Sequence, residues 1–427
     1  MENSLDSLIN GLPQSMRYSL SGADAISSRT RLTRFDATSS TYTSNSNNKI
    51  LIPVQADGFL DTGKSYLFLK VKTLHTGADK VAKLDGNVAC LIDKLEIAVS
   101  GSSGKVETID RYNMFHLYDQ TWNSGLEEIT YQQAVNGGSQ PAFEWVADGA
   151  SLAVAGEITL ALKLKAGFLT SYFNKALPQG LPQFTIEITL ASGVSAFNYT
   201  ANAVNPEYEV SNVRWYAPNY QILNEQMMAD YKQQIATETT MWVSRGVASI
   251  INVVNATVGK QTKQLNASFR SLNGMVSLMR PSADINNPVK NCLTSFNITN
   301  LTGYLYRIHG SQYPSDTIDV SATDLSRIYM EASKTLAKHG ENHSNSTAVS
   351  KTRFTGAGGA GSVCISLTRF SDENLVNLGL DTSASSAPSI VELDFTASAP
   401  APQDLTTYCL YDVVFMMNPD GTVERSF

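Results

Sequence analysis

The sequence predicts an all-β protein built as two tandem, eight-stranded antiparallel sandwiches with a few short helices. Three observations predict it. Short runs of β-branched and aromatic residues alternate with polar ones along most of the chain, as sheets with one buried face require. Clusters of Gly, Asp, Ser and Pro punctuate those runs. A strand–turn–strand–helix unit in the first half returns in the second.

A chain of 427 residues, 42% hydrophobic, is long enough for two sandwiches of about 200 residues each. Its most apolar stretch, "VSRGVASIINVVNATVG", is broken by Arg245, Asn252 and Asn255, so a membrane-spanning helix is not expected. The start, "MENSLDSLINGLPQ", lacks a basic region before an apolar core and does not read as a secretory signal. Folding in a cytosol-like compartment is expected. Cys90, Cys292, Cys364 and Cys409 lie far apart in strand-like contexts, with no CxxC, and read as buried free thiols. The net charge of −7 argues against a wholly basic nucleic-acid-binding surface and leaves room for a local basic patch.

Residues 1–48 are rich in Ser, Thr and Asn and carry Arg17, Arg29, Arg31 and Arg34 with little apolar periodicity. They read as a polar N-terminal arm, opened by a short amphipathic helix over "SLDSLINGL". Such an arm is either solvated or docked on a neighbour, a membrane or a genome. The first sandwich is expected over 49–220. "KILIPVQ", "SYLFLKVKTL", "EITLALKL", "FTIEITLA" and "YEVSNVRWYAP" supply strands. The stretch "CLIDKLEIAVSGSSGKVETIDRYNMFHLYDQ", Cys90 to Gln120, supplies a hairpin and then an amphipathic segment. Gly101 and Gly104 bracket its turn. The second sandwich is expected over 221–427. It opens with a linker helix in "QILNEQMMADYKQQIATETT", which lacks Gly and Pro. Strands resume at "GVASIINVV", "ASFRSLNGMVSLMR", "LTGYLYRIHG", "GSVCISLTRF", "SIVELDF" and "YCLYDVVFMM".

The recurrence can be measured. Ile308 follows Ile97 by 211 residues, Ile318 follows Ile109 by 209, Gly361 follows Gly156 by 205, and Tyr408 follows Tyr208 by 200. Four landmarks in one order, at nearly constant separation, predict a repeat of architecture. Eight strand candidates per half with some long connections make jelly-roll connectivity the leading topology.

Chemical signatures are weak. "TGAGGAGS" holds a formal GxGxxG, yet "SVCISLTRF" after it reads as a strand where a dinucleotide site needs a helix, so a surface loop is expected. His339 and His343 stand at HxxxH spacing among Gly340, Asn342 and Ser344, which read as loop and not as one helical face. His75, His116 and His309 are scattered and read as structural. Sequons at Asn198, Asn255, Asn297 and Asn345 read as chance in an Asn-rich chain. Trp215, Trp242, Tyr216 and Tyr220 could form a sugar-stacking platform but fit core or interface aromatics better.

These residues carry a resemblance to a known family. Residues 49–427 resemble the double jelly-roll major capsid proteins of the tectivirus–adenovirus lineage. The likeness rests on "GFLDTGKSYLFLKV" with "LIDKLEIAVSGSSGKVETIDRYN". It rests also on "SFRSLNGMVSLMR", "DINNPVKNCLTSFNITNLTGYLYRIHGSQYPSDTID" and "YCLYDVVFMM". The chain departs from some relatives in its long polar arm and in lacking an obvious tower insertion. The resemblance implies a structural protein without enzymatic activity, cofactor or metal. It implies homotrimeric, pseudo-hexagonal capsomers tiling an icosahedral shell, assembled inside the host cell and resident in the virion. The implied partners are further copies, neighbouring capsomers, and penton or minor capsid proteins. An internal membrane or genome is the implied contact of the arm through Arg17, Arg29, Arg31 and Arg34. The alternative is a virion surface-binding protein, lectin-like or spike, or a minor capsid sandwich. An enzyme would need two positioned carboxylates, and Glu127, Glu128 and Asp148 read as surface residues.

Overall fold

Alternation becomes sheet throughout the computed structural model of the chain. It describes residues 28–74, 81–102, 104–123, 135–137, 145–146, 150–151, 157–169, 176–199, 207–285, 287, 289–290, 293, 296, 298, 300–320, 325–337, 349, 354, 361–368, 379–383, 388–395 and 402–426. The first lobe has eight principal strands: β1 Ser28–Asp36, β2 Lys49–Val54, β3 Tyr66–Thr73, β4 Ile92–Val99, β5 Lys105–Asp110, β6 Ile158–Leu162, β7 Phe184–Leu190 and β8 Tyr208–Ile222. Helix α1, Tyr112–Asn123, follows β5, and helix α2, Glu225–Thr237, joins the lobes. The second lobe has β9 Thr240–Val254, β10 Gly259–Leu265, β11 Leu272–Pro281, β12 Leu301–Ile308, β13 Ser311–Asp319, β14 Val363–Ser366, β15 Ser389–Phe395 and β16 Gln403–Met417. Helix α3, Ser326–Ala337, follows β13, and a last strand β17, Val423–Ser426, pairs with β16.

The strand orders of the two lobes coincide. The first sheets run β1-β8-β3-β6 and β9-β16-β11-β14; the second sheets run β2-β7-β4-β5 and β10-β15-β12-β13. Each strand of one lobe therefore has its counterpart eight places on. All these pairs are antiparallel, and the chain passes between the two sheets in the jelly-roll order. Val81–Leu84, Trp145–Val146, Ala150–Ser151 and Phe197–Tyr199 form a small side sheet in the first lobe.

Local chemistry explains the pattern. β2 and β7 bury alternate residues, so Ile50, Ile52, Val54 and Ile186, Ile188 face the core. Pro53 is in β2 and Pro314 in β13, the outer strands of their sheets, where a missing N–H breaks no ladder. Asn224 caps α2 by accepting from Met227 N at 3.1 Å, with Glu225 in its first turn. No residue of α2 is fully buried. Tyr231 anchors it, donating to Gln179 O at 3.1 Å and meeting the Phe59 ring at 4.9 Å.

Two expectations shift. Residues 28–36, read as part of the polar arm, form β1, paired along its whole length with β8 from Ser28↔Ile222 to Asp36↔Arg214. The sequence hides this strand because only Phe35 is buried, so no apolar alternation marks it. Tyr208 opens β8, but Tyr408 is the sixth residue of β16, which begins at Gln403, and the two tyrosines face opposite ways. Tyr208 points into its sandwich and donates to Ala191 O at 2.7 Å; Tyr408 points outward and donates to Arg111 O of the other lobe at 2.8 Å. A one-residue offset in a strand reverses the face.

Helix α3 lies against its own first sheet at Gly274. A Cβ there would sit 2.7 Å from Ile365 O and 2.8 Å from Thr335 Cγ2. Gly274→Val should therefore lower the urea midpoint by an amount worth about 1–3 kcal/mol; an unchanged midpoint would rule out the close approach.

Candidate assembly surfaces

Where the lobes meet, the chain buries charge. Arg111 ends β5 in the left-handed region at φ 52°, which turns the chain into α1 and aims its carbonyl at Tyr408. Its guanidinium donates to Thr406 Oγ1 at 2.7 Å and to Asp404 Oδ2, which also accepts from Arg280 Nε at 3.0 Å. Asp404 is 4% exposed. Removing one member of such a group strands a buried charge, whereas the intact group is nearly neutral in net stability.

Aromatic rings seal the same seam. From α1, Phe115 meets Tyr408 at 5.3 Å, Tyr118 meets Phe296 at 5.4 Å, and Trp122 meets Tyr329 at 5.4 Å. Tyr118 also bonds Ser362 Oγ at 2.5 Å. Phe168, in the first lobe's 3-10 turn Gly167–Leu169, lies 5.8 Å from Trp242 and 5.3 Å from Phe415. A Cβ on Gly167 would fall 2.7 Å from Arg245 O, so glycine lets the lobes close at that point. Polar contacts edge the seam: Arg425 Nη1 donates to Val106 O at 2.8 Å, Ser102 Oγ to Val423 O at 2.9 Å, and Leu293 N to Asp85 Oδ2 at 2.8 Å.

Glu107 is buried beside this seam and accepts from Gly167 N and Phe168 N, each at 2.8 Å. Burial raises it to about 7 despite those donors and the nearby Arg425. His116 is pushed down to about 3 by burial and by Lys165, so the ring is neutral and Nε2 donates to Lys163 O at 3.1 Å.

The outward faces of the second sheets carry a matched pattern of ion pairs. Glu187 of β7 pairs with Lys49 of β2 at 2.7 Å and with Lys105; Glu392 of β15 pairs with Lys260 of β10 at 2.7 Å and with Arg307 of β12 at 2.7 Å. Partial burial opposes it, but the cations hold both glutamates below the usual carboxylate range.

The four arginines of the expected arm are divided. Arg17 lies outside the described residues. Arg29 and Arg31 are exposed on the side of β1 that carries Phe35. Arg34 projects from the opposite face, with Asp36 Oδ1 at 2.9 Å from its Nε. Trp215 and Trp242 are 0% and 5% exposed, so they are core and seam rings. Gly356, Gly358, His75, His339, His343, Cys292, Asn297, Asn345, Glu127, Glu128 and Asp148 lie outside the described residues. Among the described residues no group of three or more His, Cys, Asp or Glu is placed to hold a metal, and no helix is long and apolar enough to cross a membrane. Cys90, Cys364 and Cys409 are buried thiols outside any disulfide. The seam residues Arg111, Arg280 and Asp404 escape sequence reasoning, because 293 positions separate Arg111 from the carboxylate it meets.

Two jelly rolls in one chain, joined by a buried seam, define the double jelly-roll class. No protein-family model and no curated protein matches the chain. Solved structures do, and they are viral shell proteins. VP54 of PBCV-1, fitted into a reconstruction of the virophage Sputnik, aligns with a TM-score of 0.65 at 12% identity, covering 96% of this chain and 99% of that one. The Faustovirus major capsid protein aligns at 0.56 and 9% identity over 97% and 98% of the two chains. The mavirus major capsid protein aligns at 0.51 and 12% identity over 97% and 95%. The likeness is one of fold, end to end.

Two outcomes test the seam. Phe168→Ala should cost about 3–5 kcal/mol in urea unfolding, the range for a buried aromatic; a cost below 1 kcal/mol would show the ring does not bridge the lobes. A carboxyl raised in the fold stabilises it fully below its unfolded value of 4.5 and loses that contribution as pH rises through about 7. The stability advantage of the native chain over Glu107→Gln should therefore shrink by up to about 3 kcal/mol between pH 4.5 and 7.5. A pH-independent difference between the two would refute the assignment.

Proposed function

We propose that this chain is a major capsid protein whose work is geometric. The observation that carries the reading is the pair of like jelly rolls fixed to one another by a buried seam, in the end-to-end fold of viral major capsid proteins. Three such chains give six lobes. A three-fold block with six similar edges can meet six neighbours in a facet, which is how trimeric, pseudo-hexagonal capsomers would tile an icosahedral shell. The protein would reside in the virion capsid after assembly in the host cell.

The chemistry of the chain agrees with a structural role. Burial pushes the Cys364 and Cys409 thiols up to about 12, far from nucleophilic readiness. The apolar pocket between Val54, Leu60, Leu177 and Phe184 offers no charged side chain to orient a substrate. No catalytic role is assigned.

The N-terminal segment is proposed as the contact to what lies beneath the shell. Arg29 and Arg31 are exposed on β1 and, with Arg17 in the residues before it, are the cations proposed for this contact. An anionic membrane surface, a genome or a minor capsid protein would each be attracted to three such segments per capsomer. Penton proteins and neighbouring capsomers complete the proposed partners.

Negative-stain imaging of the purified chain should show three-fold particles with a six-sided outline; a population of single bilobed particles under native conditions would end the reading. Because β1 belongs to the first sheet, deletion of residues 1–27 should leave the block intact and impair shell assembly. Wild-type shell yield from the truncated chain would remove the role of the N-terminal segment.

A further inference from the structure

Helix α1 carries a set of reactive side chains that the seam does not use. Tyr112, His116, Asp119 and Asn123 recur at helical spacing and share one face of the helix. The chain leaving β6 runs along that face. Lys163 O accepts from His116 Nε2 at 3.1 Å, and Lys165 N donates to Tyr112 Oη at 2.7 Å. These bonds hold the backbone of residues 163–165 against α1. The Lys165 side chain then reaches Asp119, further along the helix.

Asp119 joins two nitrogens there. Its Oδ2 accepts from Lys165 Nζ, and its Oδ1 accepts from Asn123 Nδ2 at 2.6 Å. The Asp119 side chain is 4% exposed and that of Lys165 28%. A primary amine and a carboxamide are therefore neighbours on the two oxygens of one enclosed carboxyl group. An ion pair needs only the first of these contacts. The full set is what transamidation requires: a nucleophile, an electrophile and a proton relay that touches both. A charge pair withdrawn from water can also neutralise itself by moving a proton from amine to carboxylate, which frees the amine's lone pair.

We propose that Lys165 and Asn123 form an intramolecular isopeptide bond, with Asp119 as the proton relay. The pair first neutralises, one proton passing from Nζ to the Asp119 carboxyl. The free amine then bonds to Asn123 Cγ. As it does so, Nζ gives a second proton to Asp119, and Asp119 gives its own to Asn123 Nδ2. The Cγ–Nδ2 bond breaks, and ammonia leaves, taking the remaining carboxyl proton as ammonium. The product is a secondary amide beside an ionised Asp119. No cofactor, oxidant or outside reactant enters, and the chain loses about 17 Da. The bond closes the chain between Asn123 and Lys165 into a ring. It ties α1, held between the lobes, to the segment that leads into Gly167 and Phe168 at the seam. The chemistry does not depend on the shell reading.

The test is intact mass and tryptic peptide mapping of the purified full chain. Wild type is expected about 17 Da below its sequence mass, with one branched species joining the peptides that hold Asn123 and Lys165. Lys165→Arg keeps a cation beside Asp119 but offers no primary amine. Asn123→Ala removes the electrophile, and Asp119→Ala removes the relay. Each variant should show its full sequence mass and only linear peptides. Far-UV circular dichroism checks that the variants fold, and Lys165→Arg with Asn123→Ala carries the comparison if Asp119→Ala does not. A wild-type chain at full mass, with both residues in linear peptides, overturns the proposal and leaves an ion pair. A loss of about 18 Da with Lys165 joined to Asp119 overturns it as well, since Asp119 would then be the electrophile. A Lys165–Asn123 link that survives in Asp119→Ala overturns the relay.

Discussion

The structure depends on a buried carboxylate that both lobes must satisfy. Asp404 sits between Arg111 of the first lobe and Arg280 of the second, 4% exposed. Charge removed from water must be paired, and the pairing is directional. Hinging the lobes apart would strand Asp404, release Tyr408 from Arg111 O and wet the rings of Phe115, Tyr118 and Trp122. The lobes therefore have one relative orientation. The proposed shell role would require that, because small errors in the angle between two lobes would multiply across a facet.

The repeat shows how a duplicated architecture acquires two jobs. Strand order is the same in both lobes, and even the Glu187–Lys49 ion pair of one second sheet has its counterpart in Glu392–Lys260 of the other. Those outward faces carry alternating charge, which disfavours sheet-to-sheet aggregation while keeping the faces wet. The first sheets differ. One is buried on both sides, as in Gly274–Arg280 of β11, under its own helix α3 at Gly274 and under Arg111 and Phe115 of the first lobe along β16; the other keeps the alternation of a half-exposed sheet. Burial has diverged where the fold has not, because only one of the two faces meets the other lobe.

The same packing encloses strongly shifted titratable groups. Glu107, His116 and Cys364, all shifted by burial, are each enclosed by packing and oriented toward the protein's own backbone or hydroxyl groups. Shifted values at a working site come with access for a reactant. Here they come with enclosure, and their consequence is stability that depends on pH and on the seam staying shut.

Sequence alone determined the strands with clear alternation, such as Lys49–Val54, Phe184–Leu190 and Ser389–Phe395, because period-two burial is written residue by residue. It determined the twofold repeat, since the spacing of hairpins, crossovers and closing strands survives when identity does not. It also marked the linker helix, through a run free of Gly and Pro. Only the tertiary structure decided that Ser28–Asp36 is a strand, because its order comes from the ladder with β8 and not from a buried face of its own. Only it separated Arg34 from Arg29 and Arg31, since strand geometry sends neighbours to opposite sides. And only it produced the seam, because Arg111 and Asp404 are polar residues in unremarkable surroundings until folding brings them together across most of the chain; pairing between distant charges leaves no periodic trace in a sequence.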